Sequence, residues 1–494
     1  MENQPEFLGE FETKMRAAGV RETAIRAFKH SYQSLLAGDT GMMPEDSIQV
    51  VSELPHLEPI MKGPLDRQHN GTPLPGPLPF GRVEGEPSSD FGVDQSKLLS
   101  ETVLLKLNGG LGTSMGLEAA KSLLQAKNEL TFLDFTIKQV LHVRQKFGVP
   151  LSFVLMNSFS TSRDTVEFLR KHPELGPPEQ LELLQSQAPK VDAKTMRPVE
   201  WPANPQLEWC PPGHGDIYPS LLGSGLLDRW LSEGRKYLFV SNSDNLGANL
   251  DLDVLSYFAA SGKPFVMEVA ERTASDSKGG HLARRGERFL LRESAQCPKG
   301  DLSFFQDTRR HRFFNTNNLW IRLDSLKKVL EANNGFVPLP LIKNEKTVDP
   351  RDRNSPKVLQ LETAMGAAIQ CFENAGALVV PRTRFAPVKT TSDLLALRSD
   401  AYEITEDWRV VLAGERQQPP TIDLDPNHYK LVDELDAKLA SGVPSLKNCQ
   451  ELIVRGPVLF NSGNVFRGKV SVTNASSQPR NLPPGEYQDR SIEL

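Results

Sequence analysis

The stretch from Thr102 to Ser122, TVLLKLNGGLGTSMGLEAAKS, constrains this chain more than any other. An apolar run from Val103 to Leu107, interrupted once by Lys106, reads as a mostly buried strand. It runs directly into Gly109, Gly110, Gly112 and Gly116. The following MGLEAAKSLLQAK is built from good helix formers, with Leu117, Leu123 and Leu124 at roughly helical spacing, and predicts a helix. Strand, glycine loop and helix together are how α/β proteins hold phosphorylated nucleotides. Glycines let the backbone approach the ligand, and a helix N-terminus offers unpaired N–H groups and a positive dipole end. The segment points to a nucleotide; its alternative is a purely structural turn.

Two known fingerprints nearly fit, and both fail. Dinucleotide folds need G-x-G-x-x-G and an acid about twenty residues later, at the end of the next strand. Here Gly110, Gly112 and Gly116 are spaced G-x-G-x-x-x-G, and the next strand, LSFVLMN, lies farther on and ends in Asn157. A P-loop needs a second glycine before its lysine, and Ala120 stands there before Lys121.

Downstream motifs supply what a nucleotide site lacks so far. YLFVSNSDNLG places a strand, Tyr237 to Ser241, before a turn carrying Asn242 and Asp244. Ligands of open α/β sheets bind beyond the C-terminal ends of the strands, and Mg²⁺ usually takes one or two carboxylates plus substrate phosphates. Asp244 fits that role, and alone it fits a turn cap equally well. WCPPGHGDIYPS sets His214 between Gly213 and Gly215 ahead of a helix. FFNTNNLWIRL brings Asn315, Asn317 and Asn318 together, and amides suit sugar hydroxyls because they both donate and accept. FAPVKTTSDLL follows the apolar strand ALVV and puts Lys389 before Thr390 and Asp393, which are spaced as a capping box. A cation is disfavoured at a helix start unless an anion occupies that point.

Composition narrows the class. The net charge is −5 and the pI about 6.1, so no global basic field favours nucleic acid. The four cysteines, Cys210, Cys297, Cys371 and Cys449, lie far apart and form no C-x-x-C pair, which suits free thiols in a reducing compartment. No apolar run reaches membrane-spanning length, and MENQPEFLGEFE is no secretory signal. A cytoplasmic enzyme is expected.

The organisation has three parts: a helical extension over 1–55, a catalytic body over 56–402 and a β-rich domain over 403–494. Apolar positions between Phe7 and Leu36 recur at helical spacing, with a break at Gly19. Prolines crowd from Pro55 to Pro79, and TPLPGPLPFG reads as extended chain over the body or as a P-x-x-P ligand. From 100 to about 400 strands and helices alternate, which predicts a mainly parallel, doubly wound sheet. After 440 the segments ELIVRG, PVLF, NVFRG and KVSVTN suggest a β-solenoid. The terminal EYQDRSIEL shows little strand pattern, and edges without apolar alternation pair poorly. A monomer or weak dimer is expected.

The ordered strings LKLNGGLGTSMG, PPGHGDIY, FVSNSDNLGA, VMEV, KGG, NTNNLW, APVKTTSDLL and, later, NVFRGKV and LPPG resemble the UTP–glucose-1-phosphate uridylyltransferase (UDP-glucose pyrophosphorylase) family. The resemblance runs through most of 100 to 400 and returns near the C-terminus. It implies a mixed, mainly parallel Rossmann-like nucleotidyltransferase sheet and a C-terminal left-handed β-helix. It also implies that UTP and glucose 1-phosphate give UDP-glucose and pyrophosphate, reversibly and with Mg²⁺. Lys389 matches the catalytic lysine, Lys121 the lysine gripping the UTP phosphates, and Asp244 the metal ligand. Leu107, Asn108, Gly109 and Gly110 match the nucleotide-contacting segment, Gln185 and Gly213 the uracil contacts, and His214 a phosphate contact. Asn242, Gly280, Glu293 and Asn315 fall where the family holds substrate phosphate or glucose. A broader UDP-sugar or UDP-N-acetylhexosamine pyrophosphorylase, or a nucleotide-binding protein without catalysis, are the alternatives.

Overall fold

The computed structural model describes residues 5–57, 94–273, 276–414, 416 and 418–494. The TPLPGPLPFG segment lies outside the described residues. Alternating apolar side chains build the centre. In strand Thr102–Asn108, Val103 and Leu105 face one hydrophobic cluster and Leu104 the other. Strands Ser152–Asn157 and Tyr237–Asn242 divide their side chains the same way. Both faces of the sheet are therefore covered. Helices Phe132–Phe147 and Leu252–Ser261 pack on one face, and Ile217–Gly223, Leu226–Ser232 and Leu323–Ala332 on the other.

Four strands run parallel in the order Tyr237–Asn242, Thr102–Asn108, Ser152–Asn157, Glu182–Leu184. Their register places Asn242 beside Leu107 and Asn108 beside Asn157, so the motif residues share the C-terminal edge where such sheets bind ligands. The sheet as a whole is mixed, not mainly parallel. Strand Phe313–Arg322 runs antiparallel to both Tyr237–Asn242 and Phe265–Glu271. His281–Arg285 and Arg288–Arg292 form a hairpin across a turn with Gly286 at φ 60°. A turn that short leaves no room for the crossover a parallel pair needs.

The segment after the glycine loop is not the expected helix. Gly112 and Gly116 both adopt left-handed φ, 67° and 80°, and the Lys121 amide returns to the Gly110 carbonyl. Residues 113–115 and 121–123 make single 3₁₀ turns, and Gln125–Lys127 pairs with Leu130–Thr131. Met115, Leu124 and Ala126 are buried in a cluster shared with the C-terminal domain. That tertiary burial outweighs helix propensity, which is a weak preference per residue. The helix proper starts at Phe132, capped by a Thr131–Asp134 box.

Helices Pro5–Ala17 and Glu22–Leu36 form the extension, with Gly19 at φ 71° between them, and bury Phe11, Met15, Ile25, Phe28 and Tyr32 against the body. At the other end, Thr421–Leu424, Ser445–Arg455, Asn464–Thr473 and Gly485–Glu493 stack as consecutive parallel strands. NVFRG and KVSVTN are one strand with an irregularity where Gly468 takes φ 61°. The charged tail EYQDRSIEL does form a strand. Its backbone ladder to Asn464–Thr473 supplies what its side chains, mostly exposed, do not. Among the described residues, no helix is long and apolar enough to cross a membrane.

Candidate active site

A cleft of about 260 Å³ opens at the C-terminal edge of the parallel strands. Leu107, Gly109, Gly110, Lys121, Gln185, Gly213, His214, Asn242 and Asp244 line it, as do Met156, Pro211 and Ser243. Asn108 does not. Its amide donates to Asn157 Oδ1 at 2.7 Å and to Thr165 Oγ1 at 3.0 Å, and its Oδ1 accepts from Ser243 at 3.0 Å. It holds the loop from beneath. The amides of Gly110, Leu111 and Gly112 meet no acceptor among the described residues, so loop amides, not a helix end, are open to an anion.

Three separate loops converge on one side of the cleft. Lys121 Nζ donates to Asp244 Oδ2 at 2.7 Å and also to the Val388 carbonyl. Asn245 stitches the aspartate loop to the lysine loop: Ala386 N–H donates to its Oδ1 at 2.9 Å, and its Nδ2 donates to Arg384 O at 3.1 Å. Lys389 follows Val388 directly and is exposed, its Nζ 5.7 Å from the Phe385 ring; it does not line this cleft but a neighbouring cavity shared with Phe385 and Asp393. Its backbone N–H and that of Thr390 donate to Asp393, completing the expected capping box before helix Thr391–Arg398. The carboxylate in that first turn offsets the dipole cost of the neighbouring lysine.

Gly280, Glu293 and Asn315 form a second group. Asn315 N–H donates to the Gly280 carbonyl at 3.3 Å, and a Cβ on Gly280 would stand 2.5 Å from Glu293 Oε2. A side chain there would have to push the Glu293 carboxylate aside. Burial raises the pKa of Glu293, opposed by the positive charge of Lys389, so these two groups face one another electrostatically. The Asn-rich run is a strand with a bulge, not a turn: Glu268 pairs with Asn318 but Val269 with Asn315, and Asn317 takes φ 60°.

On the base side, Gln185 Nε2 donates to Gly213 O at 2.7 Å, which leaves Oε1 as the free acceptor. The Gly213 loop sits so close to Thr363 that a Cβ would collide with its backbone, and Gly213 takes φ 81°. His214 Nδ1 accepts the Met365 N–H at 2.9 Å, so the neutral ring carries its proton on Nε2. Burial pushes the His214 pKa down to about 4 from 6.5. Between those values the unfolded chain binds the extra proton. This contribution to stability is thus complete above pH 6.5 and lost as pH falls toward 4. His214→Gln, which keeps an acceptor for Met365, is expected to flatten the pH dependence of unfolding free energy across that window. An unchanged slope by chemical denaturation contradicts a neutral buried imidazole.

Three further residues organise this edge. Lys106, the one interruption of the apolar strand, is buried and donates to Ser241 Oγ at 2.8 Å and Ala248 O at 2.6 Å. Burial depresses its pKa to about 7. Glu268, within VMEV, and Arg384, four residues after ALVV, form a buried ion pair at 2.7 Å. A charge inside an apolar run was the available signal for Lys106 and Glu268.

A parallel-edge cleft with loop amides, a lysine paired with a carboxylate, and a second lysine on the adjoining loop is the site of a nucleotidyltransferase that acts on a nucleoside triphosphate and a sugar phosphate. The sequence profile of the UTP–glucose-1-phosphate uridylyltransferase family matches residues 87–467. A potato (Solanum tuberosum) enzyme of that name is 40% identical over 414 residues, covering 83% of this chain and 84% of the relative. One from Pyrus pyrifolia is 41% identical over 393 residues, covering 78% and 80%. Among solved structures, a UDP-glucose phosphorylase from Trypanosoma brucei superposes with a TM-score of 0.86 at 46% identity over 99% of both chains. A mutant UDP-glucose pyrophosphorylase from Leishmania major, in complex with UDP-glucose, gives a TM-score of 0.88 at 44% identity over 99% of both. The chain belongs to the UTP–glucose-1-phosphate uridylyltransferase family.

Proposed function

We infer that this protein transfers the uridylyl group of UTP to glucose 1-phosphate, giving UDP-glucose and pyrophosphate reversibly. The observation that carries the reading is that Lys121, paired with Asp244 and bonded to Val388 of the Lys389 loop, lines the same cleft as the hydrogen-bonded Gln185 and Gly213. In-line attack on the α-phosphorus needs little covalent help from protein; positioning and charge neutralisation suffice. The glycine-loop amides hold triphosphate oxygens, Lys121 turns from Asp244 to the phosphates, and His214 donates its Nε2 proton to a phosphate oxygen. Lys389 neutralises charge at the reacting phosphates. Asn242, Gly280, Glu293 and Asn315 receive the sugar phosphate, with Glu293 and the Asn315 amide pairing glucose hydroxyls.

Asp244 would hold Mg²⁺. Its carboxylate faces the cleft beside a cation, Lys121, and one carboxylate with substrate phosphates is the donor set Mg²⁺ ordinarily takes. Bound there with the nucleotide, Mg²⁺ supplies charge neutralisation of the triphosphate. The test is release of pyrophosphate from UTP and glucose 1-phosphate, with and without Mg²⁺ and with galactose 1-phosphate in parallel. No release with glucose 1-phosphate and Mg²⁺ overturns the reading; equal use of galactose 1-phosphate shows a broader UDP-sugar enzyme.

Base choice follows from Gln185. Its free Oε1 accepts the N3–H of uracil, whereas cytosine presents an unprotonated N3. A site built around one hydrogen bond rejects analogues that leave its polar atoms unpaired. Gln185→Ala is expected to weaken use of UTP roughly tenfold or more, the weight of one hydrogen bond, while the KM for glucose 1-phosphate stays nearly unchanged. Comparable use of UTP and CTP by the parent protein contradicts the assignment.

The consecutive parallel strands after 420 support a left-handed β-helix, and the boundaries 1–55, 56–402 and 403–494 for extension, body and β-helix. The exposed, charged last strand suits a monomer or weak dimer. Light scattering at micromolar concentration should give a mass near 54.9 kDa; a several-fold larger mass excludes it. Four free cysteines suit the reducing cytoplasm.

A further inference from the structure

Asp216 follows the His214–Gly215 turn and is buried, yet it touches neither substrate site directly. One oxygen, Oδ2, accepts both the Ser186 N–H and the Ser220 hydroxyl at 2.7 Å. Ser186 immediately follows Gln185, and Asp216 follows the Gly213 loop by three residues. The carboxylate therefore ties the two segments that face the base to each other and to helix Ile217–Gly223.

The tie completes a three-point clamp on Gln185. Its own N–H donates to Asn157 O at 2.8 Å, its Nε2 to Gly213 O at 2.7 Å, and the next amide is held by Asp216. Its Oε1 lies where a Cβ on Gly109 would come within 3.1 Å, so the acceptor is aimed across the glycine loop. Without Asp216 the Ser186 amide loses its buried acceptor, and the peptide after Gln185 is free to turn. The Gln185 side chain then has one fixed end instead of two. The N-terminal extension braces the same place: Arg21 Nη1 donates to Leu184 O at 3.0 Å, and Thr23 Oγ1 to Pro219 O at 2.8 Å. Burial raises the Asp216 pKa, while its hydrogen bonds to Ser220 and Ser186 and the charge of Arg21 favour the ionised form.

We propose that Asp216 is a positioning residue for base selection, fixing Gln185 so that uracil is preferred over cytosine. The inference rests on Gln185 reading the base. An ordering interaction of this kind acts on nucleotide binding more than on the chemical step, because Gln185 is read as a contact to the base and not to the reacting phosphates.

The test is steady-state kinetics of Asp216→Ala, Asp216→Asn and Gln185→Ala with UTP and CTP. Asp216→Ala is expected to raise the KM for UTP about tenfold and to lower the UTP:CTP ratio of kcat/KM by a similar factor. The KM for glucose 1-phosphate should move less than twofold. Asp216→Asn keeps an acceptor for the Ser186 N–H and should restore most of the ratio. An unchanged ratio in folded Asp216→Ala overturns the proposal, as does an equal loss for both nucleotides and for glucose 1-phosphate, which marks general damage. If Asp216→Ala does not fold, Ser220→Ala takes its place. It removes one anchor of the carboxylate and should lower the ratio about threefold, and no change overturns the proposal. A ratio unchanged by Gln185→Ala refutes the base reading itself, independently of Asp216.

Discussion

Lys389→Ala is expected to lower kcat by roughly 10²–10³, about 3–4 kcal/mol, as for the loss of one preorganised electrostatic donor. Two anions must meet in this reaction, so a cation placed at the reacting phosphates helps the transition state more than the bound ground state. The structure gives that cation a fixed mounting. Its backbone N–H is tied to Asp393, the residue before it is contacted by Lys121, and the loop is stitched to Asp244 through Asn245. Nucleotide KM should move less than kcat. The fold should survive, because the side chain is exposed, with its Nζ 5.7 Å from the Phe385 ring. Lys389→Arg should rescue partly, since a planar fork does not reproduce a compact charge. Steady-state kinetics in both directions, with circular dichroism as the fold control, decide it. A folded Ala variant within a few-fold of parent kcat passes the role to Lys121.

The parts legible from sequence were those written in short-range chemistry. Strand Tyr237–Asn242 with its turn and the Thr390–Asp393 cap both depend on neighbours in the chain. The glycine loop and Asp244 were legible from their place at strand ends, where open α/β sheets bind ligands, whereas Leu107, Gln185 and Gly213 came only from the family resemblance. Long-range effects were not. The 116–128 segment has the composition of a helix but is pulled into turns by a core shared with residues above 390. The direction of strand Phe313–Arg322 depends on which neighbours it finds, and its own pattern is the same either way. Asn108 matches the nucleotide-contacting segment by its place in the motif, and its three buried partners add that its side chain holds the loop. The terminal strand carries almost no apolar alternation because only one of its edges is paired and most of its side chains are exposed.

Glu268 and Arg384 show how the fold and the site depend on the same buried contact. The Glu268 carboxylate is fully inside and accepts four hydrogen bonds: from Trp320 Nε1 at 2.8 Å, Asn318 Nδ2 at 2.9 Å, and Arg384 Nε and Nη2 at 2.7 Å each. Arg384 spends its remaining donors on Asn249 and Asp251. A carboxylate has about four acceptor positions, so this one is saturated. Removing Glu268 leaves the buried guanidinium with only the longer, 3.3 Å contact to Asp251 as counter-charge, and breaking a buried pair typically costs about 3–5 kcal/mol. Glu268→Ala is therefore expected to destabilise the protein by about that amount, read as a shift in the urea midpoint. Replacing both, with Glu268→Leu and Arg384→Met, should recover most of the loss, since apolar groups of similar volume need no counter-charge. Activity should not recover with stability. Arg384 O receives the Asn245 amide, and Lys389 lies five residues further along the same loop. Without the guanidinium, that loop loses its anchor to the sheet, so the stable double variant should keep a reduced kcat. A Glu268→Ala protein destabilised by less than about 1 kcal/mol, below the expected loss for a broken buried pair, would show that water or a neighbouring group takes over the guanidinium.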